Sequence, residues 1–219
     1  MKRAVIFDLD GTLLNTLEDL CDSVNVALDR NDMPERTLDE VRRFVGNGIH
    51  KLIERAVPDG TLDETVEQVY LEFRSYYLEH CEDKTRVYPG ISELLAELSR
   101  RQIPMGIVSN KADAAVKELA RGYFPEITVA IGEREGIARK PAPDSVFEVL
   151  RLLNVSKEEA FYVGDSDVDI ATAHNAGLAC VSVTWGFRDE ELLRSLKPEV
   201  IIHRPEELLG LLFTVDYNR

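Results

Sequence analysis

The stretch Arg3-Ala-Val-Ile-Phe-Asp-Leu-Asp-Gly-Thr-Leu-Leu-Asn-Thr16 decides how the chain is read. Ala4, Val5, Ile6 and Phe7 are apolar without alternation, which predicts a strand buried on both faces. The strand stops in two carboxylates one residue apart. Side chains alternate along a strand, so Asp8 and Asp10 start on the same side, and Gly11 allows the backbone a sharp exit. A buried strand ending in Asp-x-Asp-Gly-Thr-Leu delivers two acids to one place, more than turn chemistry alone requires.

Downstream of Asn15 the apolar spacing changes to three- and four-residue steps. Leu17, Leu20, Cys21, Val24 and Leu28 predict a helix over about 16–30. Thr37-x-x-Glu40 predicts a capping box for a second helix, Gly46-Asn47-Gly48 separates a third carrying Ile49, Leu52, Ile53 and Ala56, and Thr61-x-x-Glu64 predicts a capping box for a fourth through Leu78. Residues 16–82 are thus expected to form an all-helical insert. From Tyr88 onward strands and helices alternate, the pattern of a parallel sheet with helices on both faces. Expected strands are 105–109, 127–131, 161–164, 179–184 and 200–202. Expected helices run from Gly90 to near Gln102 and over 112–121, 141–153, 167–176 and 205–212. The fold class is α/β: a Rossmann-like parallel core from 1–15 and 83–219, with a four-helix cap domain at 16–82.

Composition bounds the partners. The chain has 219 residues, 44% of them hydrophobic, enough for a sizeable core. Its 26 Lys and Arg against 40 Asp and Glu leave a net charge of −14, which repels nucleic-acid backbones and anionic lipid. No apolar run approaches a membrane span and the N-terminus enters a strand at once, so neither a signal peptide nor an anchor is expected and the mature chain is expected to start at Met1. Cys21, Cys81 and Cys180 are odd in number and lie in no ligand cluster, which fits reduced thiols and a cytoplasmic setting. Asn154-Val155-Ser156 matches a glycosylation acceptor, but Ser156 reads better as a helix cap.

In open parallel sheets ligands bind beyond the carboxyl ends of the strands. Those ends carry Asp8 and Asp10, then Ser109, Asn110 and Lys111, then Asp165, Asp167 and Asp169, with Lys140 in the loop after the third strand. Carboxylates, a hydroxyl-amide pair and a lysine on one rim suit a divalent metal with a phosphate.

Four of these segments resemble, in order, the motifs of the haloacid dehalogenase superfamily: Asp8-Leu-Asp10-Gly-Thr-Leu, Ser109-Asn110-Lys111, Lys140-Pro141 and Gly164-Asp165-Ser-Asp-Val-Asp169. The resemblance covers the whole chain. Val45-Gly46-Asn47-Gly48, Glu54-Arg55-Ala56 and Thr184-Trp185-Gly186-Phe187 are similar to the phosphoglycolate phosphatase subgroup. The resemblance implies a Mg²⁺-dependent phosphatase acting on a small phosphomonoester, 2-phosphoglycolate first. Asp8 would form an aspartyl-phosphate, with Asp10 as general acid and then base. Ser109, Asn110 and Lys140 would bind the phosphoryl group, with Thr12 fixing the turn beside it. Asp8, Asp165 and the main-chain carbonyl of Asp10 would hold the metal, supported by Asp169. Arg42, Arg43 and Lys51 are candidate cap cations for an anionic substrate. Asp167 reads as a helix N-terminal acid, and His50, His80, His174 and His203 show no ligand spacing.

Other readings fit less well. A phosphorylated receiver domain is shorter, bears its acceptor on a middle strand and has no helical insert. True dehalogenases lack the second acid of the first motif, because halide needs no proton, so Asp10 selects phosphatase chemistry. A β-phosphoglucomutase-like mutase, a pyrophosphatase or a nucleotidase shares the motifs and stays open as an alternative. A phosphate-binding relative without catalysis would not need to keep Asp8, Asp10, Ser109, Lys140 and Asp165 together.

Overall fold

A computed structural model describes residues 4–213, so Arg3, at the start of the stretch quoted above, lies outside the described residues. The chain divides into two compact units, Met1–Leu13 with Val87–Arg219, and Leu14–Arg86. In chain order β1 (Ala4–Phe7) is followed by β2 (Leu14–Asn15), α1 (Leu17–Asp29), α2 (Leu38–Phe44), α3 (Ile49–Ala56), α4 (Asp63–His80) and β3 (Arg86–Val87). Then come α5 (Ile91–Arg100), β4 (Met105–Ala112), α6 (Asp113–Tyr123), β5 (Val129–Glu133) and α7 (Asp144–Leu153). The chain continues with β6 (Ala160–Gly164), α8 (Asp167–Ala176), β7 (Ala179–Val183), α9 (Glu190–Ser195), β8 (Val200–Ile202) and α10 (Glu207–Phe213).

The first unit is an α/β layer structure on a six-stranded sheet of order β5-β4-β1-β6-β7-β8, with every pair parallel. β1 lies inside the sheet, its four residues all buried, as its unbroken apolar run requires. After β1 the chain builds outward through β4 to β5, then crosses to β6 and builds outward through β7 to β8. The order therefore reverses at β1, the kind of position where open α/β sheets bind ligands. Ile6, Val108, Tyr162 and Cys180 from the sheet pack with Val146 and Val149 of α7 and Ile170 and Ala173 of α8 in one buried core.

The second unit is helical. α1 buries Leu17, Leu20, Cys21, Val24, Ala27 and Leu28, and it packs on α4, which buries Val66, Val69, Phe73 and Tyr77. The predicted box at Thr37 forms, with Glu40 accepting from the Thr37 amide and Thr37 accepting from Glu40. The one predicted at Thr61 does not: α4 begins at Asp63 after Leu62, and the Thr61 hydroxyl instead donates to the Pro58 carbonyl at 2.7 Å. The intervening turn takes the hydroxyl before it can cap the helix. Asp19, buried on α1, accepts the main-chain amides of Lys84 and Thr85 at 2.8 Å each, pinning the segment that leaves the unit.

Two further departures matter. β4 runs through Asn110 and Lys111 to Ala112, past the predicted end at Ser109, because its edge continues to pair with Glu133 across an irregularity. α9 was not expected, since Glu190–Ser195 is too short to show a helical period. Ser156 does cap a single turn, Lys157–Glu159, and Asn154 closes α7 with a left-handed backbone.

Candidate active site

The site is built entirely from the first unit, on the strand ends around β1. The Asp8 amide donates to the Val163 carbonyl of β6 at 2.9 Å, so the first carboxylate leaves the sheet in register with the strand that delivers Asp165. Lys140 is the hub. Its buried ammonium donates to Asp8 Oδ1 at 2.6 Å, to Asp169 Oδ1 at 2.8 Å and to the Tyr162 hydroxyl at 3.2 Å, three acceptors for three protons. Tyr162 passes its own proton to Asp169 Oδ1 at 3.0 Å. The other Asp169 oxygen accepts from the Ser166 amide at 3.1 Å and hydroxyl at 2.6 Å, the capping box that starts α8. One carboxylate therefore both begins the helix and braces the lysine.

Asn110 departs from expectation. Its side-chain carbonyl accepts the Lys140 amide at 2.8 Å and its NH₂ donates to the Lys140 carbonyl at 3.1 Å, so the group expected to face a phosphoryl oxygen holds the lysine's backbone instead. The physical reason is the match of a primary amide to both main-chain groups of one residue. Ser109 and Lys111 turn the other way, as alternation along β4 dictates. Both reach Asp10: the Ser109 hydroxyl at 3.4 Å and the Lys111 ammonium at 3.1 Å. The Ser109 oxygen also accepts the Lys111 amide at 3.1 Å. Lys111 was part of the second motif but had no role assigned to it. Its place two residues from Ser109 on one strand was the available signal.

Asp165 is 1% exposed and tightly enclosed. Its oxygens accept the Thr12 hydroxyl at 3.3 Å and the Phe187 amide at 2.6 Å. A Cβ on Gly11 would lie 2.5 Å from an Asp165 oxygen and one on Gly186 2.2 Å from the Asp165 Cβ, so both positions exclude any side chain. Gly11 also has φ of +92°, a conformation that glycine adopts without strain. The indole N–H of Trp185 donates to the Thr12 carbonyl at 3.0 Å, and Arg188 pairs with Asp167 at 2.9 Å, fixing the loop after β7. Thr12 thus ties the turn after β1 to Asp165 through its hydroxyl and to Trp185 through its carbonyl.

Oxygens from Asp8, Asp165 and Asp169 lie within 4.8 Å of one another. Against these three carboxylates stands one buried ammonium, Lys140, so with all groups ionised two negative charges are uncompensated. Burial, then the charge of Asp169, raises the Asp8 carboxyl well above the usual range and Asp165 to about 7. Burial alone would depress the Lys140 ammonium, but Asp169 and Asp8 outweigh it and raise it. A hard divalent cation that takes oxygen ligands, Mg²⁺ above all, fits this donor set and this charge. Each Asp169 oxygen already accepts two hydrogen bonds, so Asp8 and Asp165 are the better-suited ligands.

Asp165 sets a pH dependence of stability. Its carboxyl titrates near 3.8 in the unfolded chain and about 7 in the metal-free fold. An acid raised on folding leaves stability untouched below the lower value, weakens it progressively between the two and holds it weakened above, here by about a few kcal/mol. Asp165→Asn keeps an acceptor for Phe187 and a donor for Thr12 while removing the charge. Without metal, the variant is expected to melt several degrees above the wild type at pH 8 but near it at pH 4, and Mg²⁺ to raise the wild-type melting temperature most at the higher pH. Parallel melting curves for the two proteins across that range would exclude the buried charge as a cost.

The remaining candidates are accounted for locally. Arg42 and Arg43 pair with Asp39 on their own helix and Lys51 with Glu54. Asp167 opens α8 as expected, while His50 contacts Glu54 and Glu67, His80 contacts Asp83, and His174 and His203 are solvent-exposed.

An acid pair on a central parallel strand, a lysine hub and an acid-lined fourth motif define a class of hydrolase. The family model described as haloacid dehalogenase-like hydrolase matches residues 5–183, and the chain belongs to that family. It is 31% identical over 218 residues to the phosphoglycolate phosphatase of Pectobacterium atrosepticum, covering 96% of this chain and 92% of that one. It is 31% identical over 215 residues to that of Aquifex aeolicus, covering 96% of each. A solved structure from Lactobacillus delbrueckii subsp. bulgaricus, provisionally named a phosphoglycolate phosphatase, superposes with a TM-score of 0.92 at 32% identity, over 97% of this chain and 99% of that one.

Proposed function

We propose that this hydrolase is a Mg²⁺-dependent phosphatase that cleaves 2-phosphoglycolate through phosphoryl-Asp8. The observation that carries the reading is the Lys140 ammonium seated 2.6 Å from Asp8, with Asp10 held apart from it by Ser109 and Lys111. The two acids are thereby given different surroundings and different work. Asp8 attacks phosphorus in line with the bridging oxygen. Asp10 gives that oxygen a proton as the bond breaks, then takes a proton from the water that attacks phosphoryl-Asp8. Lys140 and the Ser109 hydroxyl meet the charge on the phosphoryl oxygens, and Asn110 keeps Lys140 in line. Asp8, Asp165 and the Asp10 carbonyl are the residues that would hold Mg²⁺, which when bound supplies positive charge to the phosphoryl group.

The substrate reading rests on the whole-length similarity to phosphoglycolate phosphatases and on the helical unit at 14–86, inserted directly after the Asp10 loop. We take that unit as a cap that excludes water and favours small esters. No helix among the described residues is long and apolar enough to cross a membrane. The test compares kcat/KM for 2-phosphoglycolate, β-glucose 1-phosphate, pyrophosphate and nucleoside monophosphates. A preference of at least about tenfold for 2-phosphoglycolate is expected, about 1.4 kcal/mol in transition-state binding. The same preference for another member would move the substrate and leave the phosphatase chemistry standing.

A further inference from the structure

We infer that Lys111 reads the carboxylate of the substrate, so that the site selects phosphate esters of short 2-hydroxy acids. The inference rests on the assignment of Asp10 as the acid that protonates the bridging oxygen. Lys111 is unusual for a lysine in being buried, with its side chain 6% exposed, and it is the second ammonium in a site where Lys140 already serves the nucleophile. A buried ammonium is costly unless it meets anions, and Asp10 lies 3.1 Å away.

Distance turns that contact into a specificity device. A carboxylic acid meets the oxygen it protonates at about 2.7 Å, so with the proton leaving from Asp10 Oδ1, the oxygen that Lys111 touches, the ammonium stands within about 6 Å of the bridging oxygen. In the phosphate ester of a 2-hydroxy acid the carboxylate begins two bonds from that oxygen and its own oxygens reach about 3 Å toward the ammonium, closing the gap to hydrogen-bond length. An ester with a neutral group there offers the ammonium no second carboxylate beside Asp10. Ser109 keeps the geometry fixed, since it touches Asp10 and accepts the Lys111 amide at 3.1 Å. The cap cations Arg42, Arg43 and Lys51 are more exposed than Lys111 and pair with acids of their own helices.

The experiment measures kcat/KM of wild type, Lys111→Met and Lys111→Arg on 2-phosphoglycolate, on its neutral amide and on ethyl phosphate. Methionine removes the charge at similar length, and arginine restores it. Lys111→Met is expected to lose at least about 30-fold more on 2-phosphoglycolate than on the two neutral esters, where any loss reports only its contact with Asp10. Lys111→Arg is expected to keep most of the preference for the acid. Equal losses on all three esters would make Lys111 a positioning residue for Asp10 alone, and retained preference in Lys111→Met would give it no part in recognition; either result overturns the inference. A wild type with no preference for the acid over its amide would overturn the 2-phosphoglycolate reading and this inference together, and that arm keeps the two failures apart.

Discussion

Asp8→Asn is expected to abolish turnover of every phosphomonoester, with kcat reduced by at least about 10⁴-fold, the scale seen when a covalent nucleophile is removed. An amide oxygen is neutral and weakly nucleophilic, and it cannot carry a phosphoryl group away from the leaving oxygen. The fold should survive. Asp8 contributes one negative charge to a cluster that already exceeds its single buried cation by two, so the neutral variant removes repulsion with Asp169 and Asp165 rather than adding any. Initial rates on 2-phosphoglycolate and on p-nitrophenyl phosphate, with melting curves alongside, check both halves of this expectation. A folded variant within tenfold of the wild type would remove Asp8 from the chemistry.

Asp10→Asn is expected to behave differently, because its carboxylate touches Ser109 and Lys111 and not Lys140 or Asp8. Binding of substrate should persist, with KM changed little, while kcat falls by about 10²- to 10⁴-fold, the usual contribution of general acid–base catalysis. The loss should also depend on the ester. A p-nitrophenolate leaving group needs little help from an acid, so single-turnover cleavage of p-nitrophenyl phosphate should lose far less than that of 2-phosphoglycolate. An equal loss on both esters, or a KM raised in proportion to the loss, would mean that Asp10 positions the substrate and does not move the proton.

Most of the architecture was legible because its signals are local. The unbroken apolar run of β1, the capping box at Thr37 and the glycine before α3 each specify an element within a few residues. Thr61 carried the same capping signature as Thr37 and failed, since a turn to Pro58 captured its hydroxyl, a competition that a four-residue pattern does not reveal. The carboxylates and Lys140 were legible from their places at strand ends. What holds them was not. Asn110 lies 30 residues from the backbone it clamps, and Tyr162 sat inside a strand that read as plain core until its hydroxyl met Lys140 and Asp169. The fit of Gly186 against Asp165 is likewise a long-range approach between two loops, invisible in either segment alone.

The most direct test of a covalent path through Asp8 is the stereochemical course at phosphorus, measured with a phosphorothioate ester made chiral there by oxygen-isotope labelling and hydrolysed in water carrying the third oxygen isotope, so that the thiophosphate released is itself chiral. Each in-line displacement inverts phosphorus, first when Asp8 attacks and again when water attacks phosphoryl-Asp8, so net retention is the expected result. Net inversion would mean that water reaches the substrate in one step, and would contradict Asp8 as the nucleophile.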